Sequence, residues 1–235
     1  RDAACYVCWS FARAYAPTVM QPHVADLGCA LLILSSLDRE VNCRRAAAAA
    51  FQENVGRQGT FPHGIEIITA ADYYTLSNRK RSYLEIAPFV GKFETYRTHF
   101  IAHLVHVKLC HWDATIRELA AKSLAEFADV DATSIFDEIV PELLESALDT
   151  DLLVRHGAVL GLSEVLGRGL PPSPVDDEKN ISKAAELRKS LALLVPRIDQ
   201  ARLYRGKGGE LMRAAVSGYI LSLSRSGIKL PRKLK

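Results

Sequence analysis

Cys5 and Cys8 have the spacing of a redox pair or of half a metal site, since a thiolate is both a nucleophile and a soft ligand. No second Cys-x-x-Cys occurs, and both thiols fall on a helical stripe with Tyr6, Trp9 and Phe11, so packing is their expected role. His99, His103, His106 and Cys110 are spaced to project within an arc of about 60° on one helix face, at roughly 100° per residue. His99 and His106 would still stand about 10 Å apart along the axis, so a zinc ion could engage only neighbouring members plus a distant ligand. A partner-facing or inter-helix surface that titrates near about pH 6 to 7 is the competing reading. Walker, GxSxG and HExxH sequences are absent, and Gly206-Lys207-Gly208-Gly209 lacks P-loop spacing. The expectation is no catalytic residue, no resident metal and no cofactor.

The stretch richest in surface chemistry is Gln52-Glu53-Asn54-Val55-Gly56-Arg57-Gln58-Gly59-Thr60-Phe61-Pro62-His63-Gly64. Its glycines and proline are expected to stop an alanine-rich helix and form a shaped loop over 52–64. Arg57, Gln58, Phe61 and His63 would offer a cation, an amide, an aromatic ring and an imidazole on one surface, with Arg44 and Arg45 beneath. Ordinary connector chemistry and a binding surface both account for these residue types.

A repeated arginine sets the elements that must carry this stretch. Arg117 follows Ile116, lies four residues after Asp113 and precedes an alanine-rich stripe; Arg155, four after Asp151, repeats the pattern 38 residues later. Arg44 fits with Glu40 four before it, Arg81 fits weakly, and Arg1 and Arg213 extend the series at wider steps. A period near 40 residues belongs to paired-helix arrays of the HEAT and armadillo kind. From Ile135, the residues Ile139, Val140, Leu143, Leu144, Ala147 and Leu148 keep one helical face, Asp149-Thr150-Asp151 offers cap chemistry, and a second helix runs from Leu152 to Leu166. The fold class is therefore all-α, a HEAT/armadillo-like α-solenoid of about five to six helical hairpins. In such arrays an arginine can pair with a neighbouring repeat's acid, so the ladder reads as scaffold. The expected organisation is repeats over 1–170, a Pro-rich acidic insertion at 171–180, and a last helical repeat with a basic end over 181–235. Arg1 opens mid-repeat, which suggests a piece of a longer solenoid.

With 235 residues, 49% hydrophobic and 24% charged, the chain has too much apolar content for disorder. The longest apolar run, Gly28 to Leu34, is far short of the roughly 18 residues needed to cross a bilayer, so no membrane span is expected. An odd count of five cysteines fits a reducing, cytoplasmic setting. Residues 113–151 hold eleven acids against two bases, and residues 197–235 two acids against ten bases, so two oppositely charged regions are available to partners. The basic end, including Arg225, Lys229, Arg232, Lys233 and Lys235, lacks interleaved aromatics, and nucleic acid is not an expected partner.

The segment from Cys43-Arg44-Arg45-Ala46 through Phe51 and the glycine-rich stretch to Ile65 closely resembles the tubulin-folding cofactor D family. The likeness extends through Arg1 to Trp9, Ala71-Asp72-Tyr73-Tyr74 and His111-Trp112-Asp113 with Ile116 to Ala121, and thins after about Gly169. The resemblance implies a HEAT-repeat solenoid that captures β-tubulin and works with cofactors E and C and an ARF-like small GTPase. It also implies assembly and disassembly of the αβ-tubulin heterodimer, stimulation of tubulin's GTP hydrolysis by the family assembly, and association with the cytoskeleton. This chain would be a middle-to-C-terminal slice. The loop from Gln52 to Gly64, with Arg44 and Arg45 beneath it, would form its protein-binding surface. A HEAT-repeat adaptor for nuclear transport or a phosphatase scaffold is the alternative, because the same repeats would serve either role.

Overall fold

The computed structural model describes residues 1–71, 73–171 and 178–231. Asp72, residues 172–177 of the expected insertion, and Arg232, Lys233 and Lys235 of the basic end lie outside the described residues. Two compact units divide the chain, Arg1–His103 and Leu104–Lys235. The regular elements are helical throughout, with no strand among the described residues, and the fold is an all-α repeat architecture of the armadillo/HEAT kind.

The first unit contains α1 (Asp2–Ala14), α2 (Pro17–Met20), α3 (Val24–Leu37), α4 (Val41–Gln58), α5 (Gly64–Ala70), α6 (Tyr73–Ser77), α7 (Arg79–Arg81), α8 (Ala87–Gly91) and α9 (Glu94–His103). Helix α4 packs against both α1 and α3, burying Ala47, Ala50 and Phe51. Together with a 3-10 turn, α2 and α3 make a helical stretch over Pro17–Leu37 that is long and apolar enough to cross a membrane, which the short run Gly28–Leu34 did not predict. Packing accounts for part of its apolarity, because Val24, Cys29, Leu31, Leu32 and Leu37 are buried in the protein's own core.

The second unit contains α10 (Ala114–Val130), α11 (Ala132–Ser134), α12 (Val140–Ser146), α13 (Leu152–Gly167), α14 (Glu178–Gln200) and α15 (Gly209–Arg225). Helix α13 lies between α10 and α15 and buries Val159, Leu162 and Val165. Its approach to the chain before α10 is so close that a Cβ at Gly157 would stand 1.8 Å from the carbonyl oxygen of Leu109. Only glycine fits there.

Among the described residues three π-helical turns interrupt the helices, at Ser82–Ile86, Leu104–Lys108 and Ile135–Ile139. Two of them run directly into helices with proline at the second position, Pro88 and Pro141. A proline lacks the N–H and its ring clashes with the carbonyl four residues back, so a widened turn ahead of it relieves both problems. The third lies inside His99–Cys110, where Leu109 N–H bonds Leu104 O at 2.8 Å. The 100° step holds from His99 to His103 within α9 but does not carry through the π turn to His106 and Cys110. His106 instead pairs its Nδ1 with Glu142 Oε1 at 3.3 Å.

The arginine ladder is a recurring turn. Arg44, Arg117 and Arg155 each occupy the fourth residue of a helix, and each donates from Nη1 to the carbonyls six and five residues earlier. The acceptors are Asp38 and Arg39 (2.9 and 3.1 Å), His111 and Trp112 (2.6 and 3.1 Å), and Asp149 and Thr150 (3.3 and 2.7 Å). In each turn the side chain six residues before the arginine accepts the N–H two residues on: Asp38 from Glu40, His111 from Asp113, Asp149 from Asp151. The anticipated pairing of arginine with a neighbouring repeat's acid is thus replaced by binding to backbone carbonyls, which satisfies acceptors the turn would otherwise leave open. Arg97, fourth in α9, belongs to the same set, with Nε to Gly91 O at 2.8 Å and Nη2 to Lys92 O at 3.0 Å. Arg81 does not, since it pairs with Glu85 on the surface.

Candidate functional site

The fourteen residues expected to form one loop surface divide by position and by burial. Helix α4 does not stop at Gln52; it continues through Gln58, with Gly56 accommodated inside it. Gly59 ends it, in the left-handed conformation (φ 64°, ψ 3°) with its N–H on Val55 O at 3.1 Å. The loop is therefore Gly59 to His63 rather than 52–64. Arg44 and Arg45 sit in the first turns of α4, about 20 Å from Gly59 at 1.5 Å per residue, and not beneath the loop.

Five of the expected site residues hold the structure together. Arg44 is buried and, besides its turn carbonyls, donates Nε to Leu76 O at 2.8 Å and Nη2 to Ser77 O at 3.1 Å. Burial, and next the charge of Arg79, lowers its pKa from the usual guanidinium value. Asn54 is fully buried and donates Nδ2 to Ala50 O and Cys8 O at 2.8 and 3.2 Å. Gln58 donates Nε2 to Ala12 O and Tyr15 O at 3.2 and 3.3 Å, tying the end of α4 to the end of α1. Phe61 is buried edge-to-face on Phe51, with ring centroids 5.6 Å apart. Gly64 is buried where a Cβ would lie 2.7 Å from Val55 Cγ2.

The others face water wholly or in part. Gln52, Gly56, Arg57, Gly59, Thr60 and His63 are exposed; Arg45, Glu53 and Pro62 are half-buried. Arg45 holds Ser77 Oγ through Nε and Nη2 at 3.2 and 2.6 Å. Glu53 accepts from Arg57 Nε and, at 3.5 Å, from Arg13. Pro62 O accepts the hydroxyl of the buried Tyr96 at 2.8 Å, and burial pushes that phenol up to about 12.

His63 is the most constrained of the exposed set. It is a non-glycine residue at φ 54° and ψ 20°, its ring stacks on Phe93 with centroids 4.1 Å apart and an interplanar angle of 17°, and Nδ1 lies 3.1 Å from Glu66 Oε1. A left-handed backbone at a non-glycine residue persists only where its surroundings hold it. Two neighbours were missed from sequence: Phe93, distant in the chain, and Ile65, which is 67% exposed at the start of α5. Pattern alone places an isoleucine in the first turn of a helix in the core, so its exposure had no sequence signal.

All five cysteines are free thiols. Burial raises the pKa of Cys5 and Cys8, which disfavours the thiolate that redox or metal chemistry needs. Among the described residues no three of His, Cys, Asp and Glu converge as a metal site would require.

Comparison with known proteins gives a consistent assignment. The family described as tubulin-specific chaperone D-like, ARM repeats, matches residues 1–65. Tubulin-specific chaperone D of Dictyostelium discoideum is 35% identical over 237 residues, covering 100% of this chain and 16% of that protein. Tubulin-folding cofactor D of Schizosaccharomyces pombe is 29% identical over 169 residues, covering 71% of this chain and 15% of that protein. No solved structure matches the chain significantly.

Proposed function

Because the chain belongs to the tubulin-specific chaperone D family, we propose that it is a non-catalytic segment of a chaperone platform that holds β-tubulin, with the outward face of Gly59–His63 and Arg57 as a binding surface. The wider activity of such a platform would be assembly and disassembly of the αβ-tubulin heterodimer with cofactors E and C and an ARF-like small GTPase. The setting would be cytoplasmic and cytoskeleton-associated. Arg57, Thr60 and His63 present a cation, a hydroxyl and an imidazole on a connector whose backbone is fixed from beneath by Gln58, Phe61 and Gly64. A rigid polar surface loses little entropy on binding, which suits a scaffold that must hold a partner without chemistry.

The observation that carries the reading is His63, kept in a left-handed conformation while its ring remains half in water on Phe93. Packing needs neither that conformation nor that exposure. The test is Arg57→Ala, Thr60→Ala and His63→Gly together in the intact protein, glycine being chosen because it tolerates the backbone of His63. β-Tubulin capture is expected to weaken at least about tenfold with the thermal midpoint preserved. Unchanged capture by the folded variant ends the reading, and recovery of a transport receptor or a phosphatase without tubulin would favour the adaptor role instead.

A further inference from the structure

In the recurring turn, the residue five before the arginine is Arg39, Lys92, Trp112 or Thr150. Three of these are polar or charged, as suits a turn that meets water. Trp112 is an indole left 64% exposed. The turn that carries the indole is tightly held. Arg117 Nη1 binds the carbonyls of both His111 and Trp112, His111 Nδ1 accepts the Asp113 N–H at 3.0 Å, and the His111 and Trp112 rings stack with centroids 5.3 Å apart. A preorganised, exposed tryptophan is the side chain that most often anchors a protein interface, because little freedom remains to be lost on binding.

Charge selects the occupant. The next turn lies alongside, because Arg117 Nε bonds His156 Nδ1 at 3.1 Å and Gly157 abuts the Leu109 carbonyl. Asp149 and Asp151 each use Oδ1 to hold that turn, and among the described residues neither pairs with a cation. The two arginines of these turns, Arg117 and Arg155, are buried and engaged with carbonyls. The Cys110 thiol registers the resulting field: burial raises its pKa, and Asp151, Asp149 and Glu142 raise it further. An aromatic anchor beside carboxylates without a cation favours lysine or arginine, through ring–cation attraction and ion pairing, with apolar neighbours to cover the rest of the indole.

We propose that the Trp112 turn and the adjacent Asp149–Asp151 turn form a docking surface for a cationic, partly apolar segment of a partner protein. The surface shares no residue with the connector, so it stands whether or not Gly59–His63 binds tubulin. The test measures binding of a fluorescein-labelled lysine–leucine peptide, and of its glutamate–leucine counterpart, to the intact protein and two variants. Trp112→Ala is expected to raise Kd at least about tenfold. Asp149→Asn with Asp151→Asn keeps the turn geometry, because asparagine caps as aspartate does, and is expected to raise Kd about fivefold while flattening the salt dependence. The double variant also guards against misfolding of Trp112→Ala. Wild-type affinity in the folded variants, or equal binding of the glutamate–leucine peptide, would overturn the proposal.

Discussion

Arg117 and Arg57 are the same residue type on helices of similar length, and they do opposite work. Arg117 stands at the fourth residue of α10, where its guanidinium folds back onto His111 O, Trp112 O and His156 Nδ1 and is removed from water. Arg57 stands in the last turn of α4, where no preceding turn is in reach, and it pairs with Glu53 at the surface. Position along the helix therefore decides whether an arginine is scaffold or surface. The largest expected effect follows. Arg117→Ala leaves two carbonyls and a ring nitrogen without their donor and should destabilise by about 3–5 kcal/mol, whereas Arg57→Ala should stay within about 0.5 kcal/mol. Urea unfolding of both variants checks this, and similar losses would erase the distinction.

Acid should sharpen the same contrast. Burial, and then the facing Arg117 guanidinium, push the His156 pKa from 6.5 down to about 4. In the unfolded chain the imidazole titrates near its ordinary value, so below about pH 6.5 the unfolded state takes up this proton first. The stability tied to neutral His156 is thus complete above about pH 6.5 and is lost as the pH falls towards 4, by up to about 3 kcal/mol. Other groups titrate in this window, so the comparison is with His156→Gln, which keeps an acceptor for Arg117 and should show a shallower loss between pH 7.5 and 4.5. Parallel pH profiles for the two proteins would show that His156 is not the group responsible.

Legibility in the sequence followed the range of the interactions. The helical hairpins and the ladder at Arg44, Arg117 and Arg155 were readable because helix period, acid caps and arginine spacing are local. Arg97 was missed since the pattern asked for an acid four residues earlier and found Phe93; what the turn requires is an arginine at the fourth helical residue with carbonyls behind it. Arg81, a weak fit to the pattern, pairs instead with Glu85 on the surface. In the candidate site, the residue types of the connector were visible, but burial was not. Asn54, Gln58 and Phe61 look like binding groups in one dimension and are consumed by Cys8, Ala12, Tyr15 and Phe51, partners that only tertiary packing brings near. The helix end was misplaced for a related reason, because glycine inside a helix costs only about 1 kcal/mol and a well-packed helix can absorb that.

Gly56 gives the smallest effect and the finest division between scaffold and surface. It lies inside α4, exposed, with nothing within 4 Å of the position a Cβ would take. Gly56→Ala should therefore stabilise the protein by about 0.5–1 kcal/mol, by lowering the entropy of the unfolded chain and raising helix propensity. A loss of stability would mean that the chain leaves the helix at Gln52 after all. The added methyl also probes the partner's approach. Gly56 precedes Arg57, so a partner that closes over the last turn of α4 would meet the methyl and be captured less well, whereas one seated only on Gly59–His63 would not register it. Measuring unfolding and β-tubulin capture on this one variant therefore separates the helical part of the surface from the loop.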